Sequence, residues 1–185
     1  MDAQTVEKLG HLLSREVLKE NLAKAGLYSL AFELLKRTII ERPRGFFTMS
    51  GLVATDHYKT EVLANEGKDT LIASCRWFER EGVLTAEEIE EIKQLRLHRN
   101  NIVHELPNVI FNPKVQIEDA KLTKILHLLS KIDRWWIIQF EIPINEEFDG
   151  QEIDPSEVRS GSAEFLEYLI GIVYDQMRTS EQPPS

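Results

Sequence analysis

Apolar residues in this chain recur at intervals of three and four and almost never at two, so helices are the regular elements that can bury them. Val6, Leu9, Leu13 and Val17 share one face of a first helix. Leu27, Leu30, Leu34 and Leu35 continue or restart it beyond Gly26, and Pro43 is expected to stop it. Residues 43–55, with Pro43, Gly45, Phe46, Phe47 and Gly51, read as a loop whose aromatics cap the core. A helical region over 56–81, kinked near Gly67, ends at Gly82. Leu122, Ile125, Leu129, Ile132 and Trp136 define another helix, apolar nearly all round at Trp135-Trp136-Ile137-Ile138.

Residues 141–154 hold six acidic residues, no basic one and no helical pattern, and read as an acidic loop. Asp154-Pro155-Ser156-Glu157 then carries the signals of a helix start, which Gly161 delays to Ser162, with Phe165, Leu169, Ile172 and Val173 as the buried stripe. The expectation is all-α: a bundle of five to seven helices, one domain over residues 1–178, with residues 179–185 a flexible tail.

The helix over 85–105 has the clearest start. In Thr85-Ala86-Glu87-Glu88 the threonine hydroxyl and the Glu88 carboxylate are spaced to satisfy amides of the first turn, and Pro107 bars continuation. At about 100° per residue, Ile89, Ile92, Leu95, Ile102, Val103 and Leu106 form a core-facing stripe. Arg99 falls in the middle of that stripe, away from the solvated side that Glu87, Glu91, His98 and Glu105 define. An unpaired buried guanidinium costs several kcal/mol, so Arg99 must snorkel, pair with a carboxylate, or face a cleft or interface that an anion visits.

Lys93, Asn100 and His104 lie at one edge of the stripe, and Arg96, Asn100 and His104 stack along one line by i, i+4, i+8 spacing. That line suits phosphodiester cleavage. A guanidinium holds the phosphate, an amide orients it, and an imidazole takes a proton from a ribose 2′-hydroxyl or returns one to the leaving oxygen. The nucleophile belongs to the substrate, so the route needs no metal or cofactor. Arginine and histidine at a helix C-terminus also complement its dipole and carbonyls, which is the structural alternative.

The formal charge of −9 is unevenly spread. Residues 1–55 carry eight Lys/Arg against six Asp/Glu, residues 56–116 eight against eleven, and residues 117–185 six against fourteen. No global basic footprint exists, so any RNA must bind at a local basic cleft. A lone Cys75, the lack of a signal-peptide pattern and the lack of a long apolar run point to the cytoplasm, away from a membrane.

Other signals are weaker. Asn145, Glu147, Asp149 and Gly150 imitate a calcium loop, but Ser156 stands where a bidentate glutamate belongs. His98 with His104, and His57 with Cys75, lack zinc spacing. Trp77-Phe78 and Trp135-Trp136 fit a core better than a base-stacking platform, and Cys75 reads as a small buried hydrophobe.

The run Leu95-Arg96-Leu97-His98-Arg99-Asn100-Asn101-Ile102-Val103-His104 resembles the signature helix of the HEPN superfamily, the higher-eukaryote and prokaryote nucleotide-binding domains. In that pattern an arginine is followed at once by a polar residue and, after four to six residues, by a histidine; Arg99, Asn100 and His104 match it. The resemblance implies a helical bundle that forms a homodimer, with the two motif helices facing each other across a composite site. It implies metal-independent endoribonuclease activity on RNA, as in toxin–antitoxin, abortive-infection and phage-defence systems, and an antitoxin or nucleotidyltransferase as partner. Catalytic roles fall to Arg99, Asn100 and His104, and substrate binding to Arg96 and Lys93. Many members of the family are non-catalytic and bind nucleotides or proteins instead.

Overall fold

The computed structural model describes residues 14–48, 55–107 and 118–180. Among these residues there are six α-helices and no strands. They are α1 (Arg15–Thr48), α2 (Thr55–Glu61), α3 (Thr70–Arg80), α4 (Ala86–His104), α5 (Asp119–Trp136) and α6 (Gly161–Ser180). The expected all-α bundle is therefore what the chain forms. None of the described helices is long and apolar enough to cross a membrane. Val6, Leu9 and Leu13, the link after Pro107, and most of the tail lie outside the described residues.

α1 is the spine, and α2, α3, α4, α5 and α6 all pack against it. Its inward face carries Tyr28, Ala31, Phe32, Leu35 and Ile39, all buried, at the three-and-four spacing of one helical stripe. Gly26 does not break it, and Pro43 does not stop it: the helix runs five residues beyond the proline. A proline inside a helix removes a hydrogen bond and crowds the preceding turn. Tertiary anchors hold the last turn regardless. Arg42 pairs with Asp133 and Glu141, and Phe46 stacks on Phe140 at 4.8 Å between ring centres. The presumed loop aromatics Phe46 and Phe47 are thus helical, within an aromatic cluster that includes Trp77, Trp135 and Trp136.

The break at Gly67 and the stop at Gly82 are both present. Each glycine has positive φ, +44° and +73°, a region that side chains disfavour. A 3-10 turn (Leu63–Asn65) precedes Gly67, and the Asp69 carboxylate then accepts the Ile72 amide at 3.3 Å to cap α3.

The acidic loop is more regular than its sequence suggests. Beyond α5 the chain winds through a π segment (Ile137–Glu141) and two 3-10 turns, Ile142–Ile144 and Glu146–Phe148. Asp154 accepts the Ser156 amide at 2.8 Å and forms a local turn, not a helix cap. The cap of α6 is Ser160, whose hydroxyl accepts the Ala163 amide at 3.0 Å and donates to buried Asp133 at 2.8 Å. The buried face of α6 also differs from the expected stripe. Ala163 and Leu166 are buried, Leu169 and Val173 half-buried, whereas Phe165 and Ile172 are exposed.

Candidate functional site

The capping box at the start of α4 forms as its sequence requires: Glu88 accepts from the Thr85 amide at 2.8 Å, and Thr85 accepts from the Glu88 amide at 3.2 Å. Glu88 also accepts from Lys131 at 2.6 Å, tying the first turn of α4 to α5. Ile89, Ile92, Leu95 and Ile102 are buried, which fixes the rotation of the helix. Val103, expected on the same stripe, is exposed although Ile102 beside it is buried.

Arg99 lies on α4 between buried Leu95 and buried Ile102. Its side chain is 28% exposed, and Nη2 donates to Oε1 of Glu33 on α1 at 2.8 Å. Nη1 reaches the Asn100 side-chain oxygen at 3.3 Å, and buried Nε has no partner among the described residues. Pairing with a carboxylate and facing a cleft are thus realised together.

The cleft has a volume of about 490 Å³ and is bounded by α1, α4 and the residues that lead into α3. Lys36, Lys68, Arg96 and Arg99 contribute four cations against two carboxylates, Glu33 and Asp69, an excess of two positive charges in a chain whose net charge is −9. Thr70 and Leu71, at the first turn of α3, also line it. This is the kind of local basic cleft that an acidic chain needs in order to hold a phosphate.

Of the five residues singled out from sequence, three line this cleft: Arg96, Arg99 and Asn100. Arg96 donates to Asp69 at 2.7 Å, so the carboxylate that caps α3 also fixes the motif helix against it. Lys93 pairs with Glu90 at 3.2 Å and does not reach the cleft. His104 is exposed and stands outside the lining, one turn beyond Asn100. Among the described residues that line this cleft, Arg99 is present and His104 is not.

His104 instead belongs to an outward seam. Leu97, Asn100, Asn101 and His104 follow the spacing of one helix face, and Leu97 is 54% exposed. His98, expected on the solvated side, turns inward. Its ring meets Tyr28 edge-on at 4.8 Å, Nε2 is buried without a partner among the described residues, and burial, helped by Lys121, lowers its pKa from the ordinary 6.5. Tyr28 in turn donates to the Leu95 carbonyl at 3.2 Å.

Glu33, Lys36, Lys68 and Asp69 went unnoticed in the sequence. Asp69 carried a usable signal, since an aspartate two residues after a glycine and just before Thr70-Leu71-Ile72 is a good helix cap. Cys75 is fully buried, and its thiol is pushed up to about 12 by that burial, with Asp69 adding to the shift. Among the described residues, no group of three or more histidine, cysteine, aspartate or glutamate side chains is placed to hold a metal ion. No family model, curated protein or solved structure matches the chain.

Proposed function

We propose that this chain is a metal-independent endoribonuclease of HEPN type, acting as a homodimer whose two α4 helices face each other, with the toxin or phage-defence role that such an activity serves. The observation that carries the reading is the position of Arg99, whose guanidinium edges an electropositive cleft beside Asn100 and Arg96. A phosphate entering there competes with Glu33 for Arg99 and gains Arg96, Lys36 and Lys68 nearby. His104 lies on the exposed seam with Leu97, Asn100 and Asn101. Two such seams packed together bring the histidine of one chain towards the cleft of the other.

In that assembly Arg99 stabilises charge on the phosphoryl oxygens while Asn100 holds the guanidinium in place. His104 acts as general acid or base: the 2′-oxygen bonds to phosphorus, the bond to the 5′-oxygen breaks, and the products are a 2′,3′-cyclic phosphate and a 5′-hydroxyl. The test is to incubate purified protein with single-stranded RNA in excess EDTA and identify the new ends. Cyclic phosphate and 5′-hydroxyl ends are expected; uncut RNA, or 5′-phosphate ends, would reject the mechanism.

A second reading has its own observation. Arg99 already has a carboxylate partner at 2.8 Å, and His104 is outside the cleft, which suits a non-catalytic module that dimerises and binds a nucleotide or protein partner. An antitoxin or nucleotidyltransferase belongs to either reading as partner. Nucleotide binding without cleavage selects the second.

A further inference from the structure

A second cavity, of about 490 Å³, lies in the irregular stretch after α5 and shares no lining residue with the Arg99 cleft. Its walls come from the π segment Ile137–Glu141, the two 3-10 turns and the non-helical run that leads to α6. Ile137, Ile142, Phe148, Ile153 and Val158 supply the apolar lining. Val158 is buried and the three isoleucines are half-buried, yet none of the five belongs to the cluster that forms the bundle core or packs against it. An apolar lining set apart from the core, in a cavity within the range of about 300–1,000 Å³, has the form of a small-molecule site. A π segment in its wall fits the same description, since such segments gather at functional sites.

The polar groups narrow the chemistry. Glu141 is already engaged: it accepts from Arg42 of α1 at 2.5 Å, which fastens this wall to the bundle. Asn145 and Gln151 each use one end of the side-chain amide on the turn. The Asn145 oxygen accepts the Glu147 amide at 3.0 Å, and the Gln151 nitrogen donates to the Glu147 carbonyl at 2.7 Å. A donor on Asn145 and an acceptor on Gln151 are left without a partner among the described residues. Glu157 and Arg159, both exposed, line the same cavity two positions apart and form no ion pair among the described residues. Arg159 also borders the groove between α5 and α6, and it has no ion-pair partner there either.

A ligand of single charge meets one attractive and one repulsive group at this cavity. A carboxylate and an ammonium on one carbon meet both. We infer that the cavity is a binding site for a free α-amino acid with a large apolar side chain. Its carboxylate accepts from Arg159 and from the open amide of Asn145, and its ammonium donates to Glu157 and to the open carbonyl of Gln151. The charged pair sits at exposed positions and the isoleucines and Val158 are more buried, so the head group faces out and the side chain faces in. No part of this assignment rests on the ribonuclease reading.

The experiment is equilibrium dialysis of the full chain against radiolabelled L-phenylalanine and L-leucine, with unlabelled competitors. Saturable retention of both is expected. N-acetyl-L-phenylalanine lacks the ammonium and L-phenylalaninamide lacks the carboxylate, so each should compete at least about tenfold less well than L-phenylalanine; glycine, without an apolar side chain, should compete as poorly. Arg159→Ala and Glu157→Gln should each weaken retention by about tenfold. Both side chains are exposed, and matching thermal melts verify that each variant folds. No retention of either amino acid would overturn the proposal. So would equal competition by the acetylated or amidated compound, which assigns the cavity to a singly charged apolar ligand, or unchanged affinity in both variants.

Discussion

Arg99 and Glu33 form an ion pair at 2.8 Å that joins α4 to α1 at the rim of the basic cleft, and Glu33 accepts from Lys36 as well, at 3.1 Å. The carboxylate thereby occupies the place an anionic ligand would take on Arg99. On the proposed ribonuclease reading, a phosphate would have to displace Glu33 from Arg99.

Glu33→Gln removes that competitor. The variant should bind a short single-stranded RNA in EDTA several-fold more tightly than the wild type, as read by fluorescence anisotropy. Its stability should change by less than about 1 kcal/mol, since the pair is partly solvated. Weaker RNA binding would show that Glu33 positions Arg99 and does not compete with ligand.

Lys68 is exposed at the cleft and forms no ion pair among the described residues. Lys68→Ala should leave the melting temperature unchanged and weaken RNA binding equally across sequences. The slope of log affinity against log salt should fall by about 0.7, the loss of one contact to a single strand. An unchanged slope would remove Lys68 from the binding site.

Asp133 is 1% exposed and accepts from Arg42 at 3.1 Å and from Ser160 at 2.8 Å, so one buried carboxylate joins α1, α5 and the cap of α6. Asp133→Ala leaves both donors without it. A loss of about 3–4 kcal/mol is expected in urea unfolding. A loss under about 1 kcal/mol would mean that the network relaxes onto Glu141 and water.

His98 gives a pH signature. Burial lowers its folded pKa below the ordinary 6.5, so the unfolded chain takes up the proton first as pH falls. Its contribution to stability is complete above that ordinary value and is lost as pH drops through the folded pKa. Urea unfolding between about pH 7.5 and pH 5 should show decreasing stability, with a shallower slope in His98→Gln. Equal slopes would place the imidazole in solvent.

Local rules made much of the bundle legible in the sequence. The capping box, the positive-φ glycines at 67 and 82, and the stripes of α4 and α5 depend on neighbours within a turn or two, so spacing alone located them. The same rules failed where distant contacts prevailed. Pro43 sits inside a helix that Arg42 and Phe46 anchor, and Phe165 and Ile172 have core-like spacing on a face that nothing in the described chain covers. Periodicity shows that a face is apolar, not what packs on it. Projection likewise put Arg99 on the apolar face but could not find Glu33, 66 residues earlier, and it left His98 in solvent when Tyr28 covers it.

The most direct measurement is the rate at which purified wild type, Arg99→Ala and His104→Ala cleave single-stranded RNA in EDTA, with all three shown to fold alike. General acid–base catalysis and transition-state charge stabilisation are each typically worth about a hundredfold or more, so each variant should fall by at least about that factor. Arg99→Ala should also bind the RNA less tightly. Cleavage by either variant at the wild-type rate would contradict the assignment of catalysis to Arg99 and His104.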